Sequence, residues 1–200
     1  MNGNLITNIH ATENRTLVSL DKIPANLQNA FIAVEDNRFY EHNGIDPRGI
    51  FRAIYSNITS GEVAEGGSTI TQQLAKKCLF YHKTVHSNEK FQEFFIALRL
   101  ERQYTKEEIL EMYLNQIYFG RGAYGVQAAA QTYFGKDVSQ LDLSECAMLA
   151  GIPRSPNYYS PLNNLGAANE RKAEVLDQMV KYGYIDSATA AKTKAESYDL

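Results

Sequence analysis

The stretch PANLQNAFIAVED, residues 24–36, is the feature that most limits how this chain can fold. Its apolar side chains Leu27, Ala30, Phe31 and Val34 recur at i, i+3, i+4 and i+7. That is the stripe of an amphipathic helix, with Pro24 suited to its first turn. The same period returns along the sequence, so most of the chain reads as helix. The run LVSL, residues 17–20, is an early strand candidate but too short to define a sheet.

Cap and stop signals divide the helices. Asp46 before Pro47 opens a second helix, with Phe51, Ile54, Tyr55 and Ile58 as its apolar face and Gly61 as its stop. After the loop GEVAEGG, Ser68 can cap a third. There Ile70, Leu74 and Cys78 share one face, while Thr69, Gln72, Gln73 and Lys76 share another. A fourth runs from Glu89 to Tyr104, and Thr105 with Glu108 forms a capping box for KEEILEMYLNQIY. Helical segments continue near 125–134, 142–150, 167–182 and 187–197. GIPRSPNYYSPLNNLG between two of them reads as a long ordered loop.

Two hundred residues suit a single domain, and 20 basic against 23 acidic side chains argue against a general nucleic-acid binder. Cys78 and Cys146 cannot alone make a disulfide framework or a zinc site, and read as buried thiols. No run of eighteen apolar residues occurs, and MNGNLITNIH lacks the charged and apolar regions of a signal peptide. A membrane role would therefore need an anchor outside this stretch, or peripheral docking.

Three clusters could carry chemistry. VEDNRFYEHNGID, residues 34–46, holds four carboxylates, with Glu35 at the C-terminal end of the first helix. There the negative end of the helix dipole disfavours an ionised carboxylate, a cost that stability alone does not explain. Beside Phe39 and His42, a carboxylate pressed between aromatics would be desolvated and become a better base once ionised. The second cluster is GGSTITQQLAKK, residues 66–77, where glycines admit a close ligand and a helix N-terminus offers free N–H groups. The third is EKFQEFFIALRLE, residues 89–101, a stripe of Phe91, Phe94, Phe95 and Leu98 flanked by Lys90, Glu93 and Arg99. Residues 76–90 hold four lysines and two histidines against Glu89, an excess that suits a phosphate or pyrophosphate. His82 and His86 have the spacing of a metal pair, but Lys83 stands where a metalloprotease has its glutamate. SNEK, 87–90, fits a loose Ser-x-x-Lys pattern without its Lys-Thr-Gly partner.

In this order the clusters resemble the peptidoglycan glycosyltransferases, the family shared by monofunctional transglycosylases and the N-terminal domains of bifunctional penicillin-binding proteins. EDNRFYEHNG is similar to the family's first motif, GGSTITQQ to its second and ILEMYLNQIYFG to its fourth. The motifs fall between about residues 23 and 165, with 166–200 a helical tail, all within one domain of 1–200. One departure stands out: the third motif, Arg-Lys-x-x-Glu in the family, is EKFQE here, with Glu89 for the arginine.

The resemblance implies a mainly α, bilobed, lysozyme-like fold with a large head and a small membrane-facing jaw. It implies polymerisation of lipid II into β-1,4-linked strands by an inverting transfer. Glu35 would be the catalytic base, and Glu93 would hold the cations or bind a divalent metal, magnesium or manganese, at the donor side. Asp36, Phe39, His42, Ser68, Thr69, Gln72, Gln73, Lys76, Lys90, Arg99 and Asn115 would contact substrate. Partners would be lipid II, the growing lipid-linked glycan, the membrane surface and other cell-wall synthesis and division proteins. The place would be the extracytoplasmic face of the bacterial plasma membrane, with the anchor outside this chain. FQEFFIAL and CLFYHK would suit a jaw dipping into lipid, or simple core packing. Two rivals follow from the same residues: a lysozyme-like hydrolase, since paired carboxylates in a helical cleft also cleave glycosides, and an impaired lipid II-binding module, which Glu89 keeps open.

Overall fold

The computed structural model describes residues 16–60, 67–81 and 89–196. Gly61, most of the GEVAEGG loop, His82, His86 and the middle of the basic stretch lie outside them, as do the side chains of Ile54 and Glu89. Nine α-helices are described: α1 (Ala25–Glu35), α2 (Pro47–Ser60), α3 (Ile70–Tyr81), α4 (Glu89–Gln103), α5 (Lys106–Leu114), α6 (Val126–Phe134), α7 (Leu143–Gly151), α8 (Leu165–Lys181) and α9 (Ser187–Ala195). The fold is mainly α, with no strand longer than the single bridge Tyr118–Tyr124 among the described residues.

The helices sort into two packed groups. In one, α1 lies against α7 and α8, and α9 covers α8; in the other, α3 packs on α4 and α5. The stripe on α1 explains the join. Leu27, Ala30 and Phe31 are buried, and the Phe31 ring meets Tyr113 of α5 edge-on at 6.0 Å and Phe119 at 6.1 Å. Such T-shaped pairs add to the burial of each ring. Thr105 and Glu108 close their capping box at the start of α5.

LVSL forms no strand. Leu20 opens a short 3-10 turn, and the backbone of Val18 pairs with a side chain instead of another strand. Val18 N–H donates to Asn115 Oδ1 at 2.9 Å and Asn115 Nδ2 donates to the Val18 carbonyl at 2.8 Å, so one amide side chain stands in for a peptide partner. Leu20 N–H is taken by Glu111 Oε2 at 2.8 Å.

Two apolar faces are not core. On α2, Phe51, Tyr55 and Ile58 are 74%, 71% and 76% exposed; on α4, Phe91 and Phe95 are 67% and 66% exposed. α4 instead buries Ala97, Leu100 and the carboxylate residue Glu93. The core-packing reading of FQEFFIAL thus fails for its phenylalanines. Of the two cysteines, Cys146 is buried and Cys78 only partly so.

Candidate active site

Glu35 is the last residue of α1, half-buried. Its Oε2 accepts a hydrogen bond from Gln73 Nε2 at 2.8 Å, and Gln73 Oε1 accepts one from the Tyr113 hydroxyl at 3.2 Å. Burial, then the nearby charges of Glu35 and Asp36, push the Tyr113 phenol well above its ordinary value. The phenol therefore stays a donor, which fixes the Gln73 amide with its nitrogen toward Glu35. Among the described residues no other hydrogen bond engages Glu35, which leaves Oε1 to take a ligand.

The next residue turns inward. Asp36 ends α1 with φ −159° and ψ 73°, and both its carboxylate oxygens lie 2.9 Å from His42 Nε2. Asp36 Oδ2 also accepts from Ile70 N–H at 3.0 Å, so an anion sits on the first turn of α3, where the helix dipole favours it. His42 Nδ1 accepts from Gly44 N–H at 3.1 Å, which places the ring proton on Nε2, toward Asp36. Gly44, at φ +90°, passes so close to α4 that an added Cβ would meet Ala97 O at 3.1 Å. The Gly44 carbonyl takes the Thr69 hydroxyl at 2.6 Å.

Thr69, not Ser68, caps α3. Gln72 N–H donates to Thr69 Oγ1 at 3.1 Å and Thr69 N–H donates to Gln72 Oε1 at 3.0 Å, a capping box. The sequence favoured Ser68 because either hydroxyl can cap. Thr69 wins because its hydroxyl also reaches Gly44, leaving Ser68 on the cavity wall.

Two cavities, of about 410 and 330 Å³, meet at Glu35. Val34, Glu35, Ser68, Arg154 and Arg171 line both. The first adds Asp36, Arg52, Thr69 and Asp177; the second adds Gln73, Lys77, Ile117 and Tyr118. Lys77 Nζ donates to the Gln116 carbonyl at 2.6 Å, and Arg171 pairs with Glu174 at 2.6 Å. An added Cβ at Gly151 would meet Arg171 Cγ at 2.7 Å, so that glycine makes room for the arginine.

The structure thus gathers Glu35, Ser68, Thr69, Gln73 and Asp36 at the cavities. Phe39 and His42 do not form cavity walls. Phe39 is fully buried beneath the Lys106 ammonium, 4.5 Å from its ring, and His42 is held behind Asp36. Gln72 is occupied by the cap, and Asn115 by Val18. Lys76, Lys90 and Arg99 are exposed and line neither cavity; Lys90 lies 3.6 Å from the buried Glu93. Among the described residues no three of His, Cys, Asp and Glu are grouped to hold a metal ion. Sequence reasoning missed Lys77, Arg154 and Arg171. Lys77 was legible, one helical turn after Gln73; the arginines arrive from distant segments with no shared spacing.

A half-buried carboxylate thus stands in a helical cleft among guanidinium and ammonium groups. Residues 2–180 match the Transglycosylase family, and the chain belongs to that family. It is 47% identical over 199 residues to penicillin-binding protein 1F of Bacillus subtilis strain 168, covering 100% of this chain and 28% of that protein. It is also 47% identical over 195 residues to penicillin-binding protein 1A of Escherichia coli strain K12, covering 98% of this chain and 23% of that protein. The crystal structure of penicillin-binding protein 1A from Haemophilus influenzae matches with a TM-score of 0.55 and 28% identity, over 92% of this chain and 18% of that one. The chain spans roughly a quarter of the length of these two curated relatives. The lysozyme-like helical fold accords with that match.

Proposed function

We propose that this chain is a single peptidoglycan glycosyltransferase domain that polymerises lipid II. Glu35 Oε1 takes the proton of the acceptor sugar's 4-hydroxyl as that oxygen attacks the anomeric carbon of the lipid-linked chain. The C–O bond to pyrophosphate breaks as the β-1,4 bond forms, so an α-linked donor gives a β-linked product and the polyprenyl pyrophosphate leaves. Arg154, Arg171 and Lys77 suit the charge that develops on that leaving group. The observation that carries the reading is the position of Glu35 where the two cavities meet, with one oxygen held by Gln73 and the other available. Lys76, Lys90 and Arg99, outside both cavities, would meet the parts of the lipid-linked chain that extend beyond them. Glu93 would keep Lys90 in place.

The exposed aromatic faces of α2 and α4 support docking on a lipid surface, at the extracytoplasmic face of the plasma membrane. No helix among the described residues is long and apolar enough to cross a membrane. Cell-wall synthesis and division proteins are the expected neighbours there.

The test is turnover of labelled lipid II. Glu35→Gln should lower it by about 10²–10⁴-fold, as loss of a general base does. Equal polymer from both proteins would remove Glu35 as the base, and clearing of purified cell wall without lipid II consumption would favour the hydrolase instead.

A further inference from the structure

The segment Ile117–Gly125 carries aromatic surface that folding does not use. Its ends pair through Gly125 N–H to the Ile117 carbonyl at 2.8 Å and Phe119 N–H to the Ala123 carbonyl at 3.0 Å. Three successive left-handed residues, Gly120, Arg121 and Gly122, turn it. Arg121 is the only non-glycine with positive φ among the described residues, at 51°, and its guanidinium is tied to Asn163 at 2.6 Å. A strained residue survives where its surroundings hold it, and such places cluster at functional sites. Phe119 and Ala123 are buried, and the Tyr133 hydroxyl binds the Phe119 carbonyl at 2.7 Å. Alternation then brings the bridged pair Tyr118 and Tyr124 together, rings 4.7 Å apart and tilted by 38°. Tyr118 is 39% exposed and forms part of the wall of the second cavity, with Glu35, Gln73 and Lys77.

We propose that Tyr118, backed by the ring of Tyr124, forms a sugar-stacking platform, which takes a pyranose ring of a β-1,4-linked amino-sugar chain entering the second cavity. The identity of that chain rests on the glycosyl-transfer reading above. A pyranose presents a C–H face that packs on the electron-rich face of an aromatic ring, and hydroxyls that need donors and acceptors at the rim. Rings and rim meet here: the Gln73 amide, the Lys77 ammonium and the Arg154 guanidinium share the cavity with Tyr118. An inorganic anion would use the cations and leave the rings idle. A polyprenyl tail would use the rings and strand the polar groups. Pro153 and Pro156 also line the second cavity, and an added Cβ at Gly120 would lie 3.2 Å from Pro156 Cβ, so the turn that carries Tyr118 packs against that loop.

The test uses chitotetraose, a lipid-free β-1,4-linked N-acetylglucosamine oligomer, with binding followed by saturation-transfer NMR on the 200-residue chain. Tyr118→Ala should weaken binding by about two- to tenfold, the range of an aromatic contact, while Tyr118→Phe keeps it. Circular dichroism on each variant separates lost binding from lost fold, and with lipid II the alanine variant should make shorter strands. No binding by the parent, equal binding by a folded Tyr118→Ala, or equal loss in Tyr118→Ala and Tyr118→Phe would each overturn the platform. Ring-dependent binding in a chain that never consumes lipid II would support the platform and strike the reaction alone.

Discussion

The turn between α1 and α3 and the outer faces of α2 and α4 invert the usual rule of what is buried. At the turn, polar groups lie inside: Asp36, His42 and Thr69 are buried and bonded to one another, to Gly44 or to the first turn of α3. On the outer faces, phenylalanine, tyrosine and isoleucine side chains face outward. A buried polar group is tolerated because each member is satisfied, and it then costs much to remove any one. An exposed aromatic contributes little to folding, so its presence needs another reason. The turn therefore supplies rigidity to Glu35, and the outer faces supply something other than stability.

The sharpest way to break this contrast is Asp36→Ala. It leaves His42 Nε2 and Ile70 N–H without their acceptor, and should cost about 3 kcal/mol by urea denaturation. A loss no larger than that of a surface substitution would mean the network does not carry the turn. Thr69→Ala removes both the cap of α3 and the bond to Gly44, for an expected loss of about 1.5 kcal/mol in the same measurement.

Tyr113→Phe sharpens the contrast through pH. It removes one hydrogen bond, worth about 1 kcal/mol, and lets the Gln73 amide turn. The folded protein holds the Tyr113 proton above the ordinary value of 10.0, while the unfolded chain releases it near that value. The stability from Tyr113 is thus fully present below pH 10 and lost as pH rises further. Urea midpoints at pH 8, 10 and 11 should fall more steeply for the parent than for the phenylalanine variant. The smallest effect belongs to the outer faces. Phe95→Ser should shift stability by about 0.5 kcal/mol or less, yet lower the fraction of protein that sediments with anionic lipid vesicles. A large loss of stability would return Phe95 to the core.

What could be read from the sequence follows from distance along the chain. α1, the capping box of α5 and the helices from α6 onward announce themselves by local periodicity and caps, which a short window contains. The face of α2 was legible as apolar, but the same stripe serves a core or an interface; the exposure of Phe51, Tyr55 and Ile58 separates them. Glu35 was marked by its helix end, and Gln73 by the amide stripe. The role of Asn115 was hidden because Val18 lies 97 positions away, and that of His42 because no periodic pattern marks the turn that closes it onto Asp36 and Gly44. Arg154 and Arg171 lie far from Glu35 in sequence, and nothing short of the packed α7–α8 pair brings them to it.

The Val18–Asn115 pair also makes a mechanical joint. Its two hydrogen bonds run side by side, as in a strand ladder, so a pull on the chain ahead of Val18 loads them together rather than one after the other. The load passes next into the C-terminal end of α5, which Asn115 caps through the Glu111 carbonyl at 2.9 Å. Two residues back is Tyr113, and from its hydroxyl the path runs through Gln73 to Glu35. A pull on Val18 would thereby bear on the amide that holds the Glu35 carboxylate.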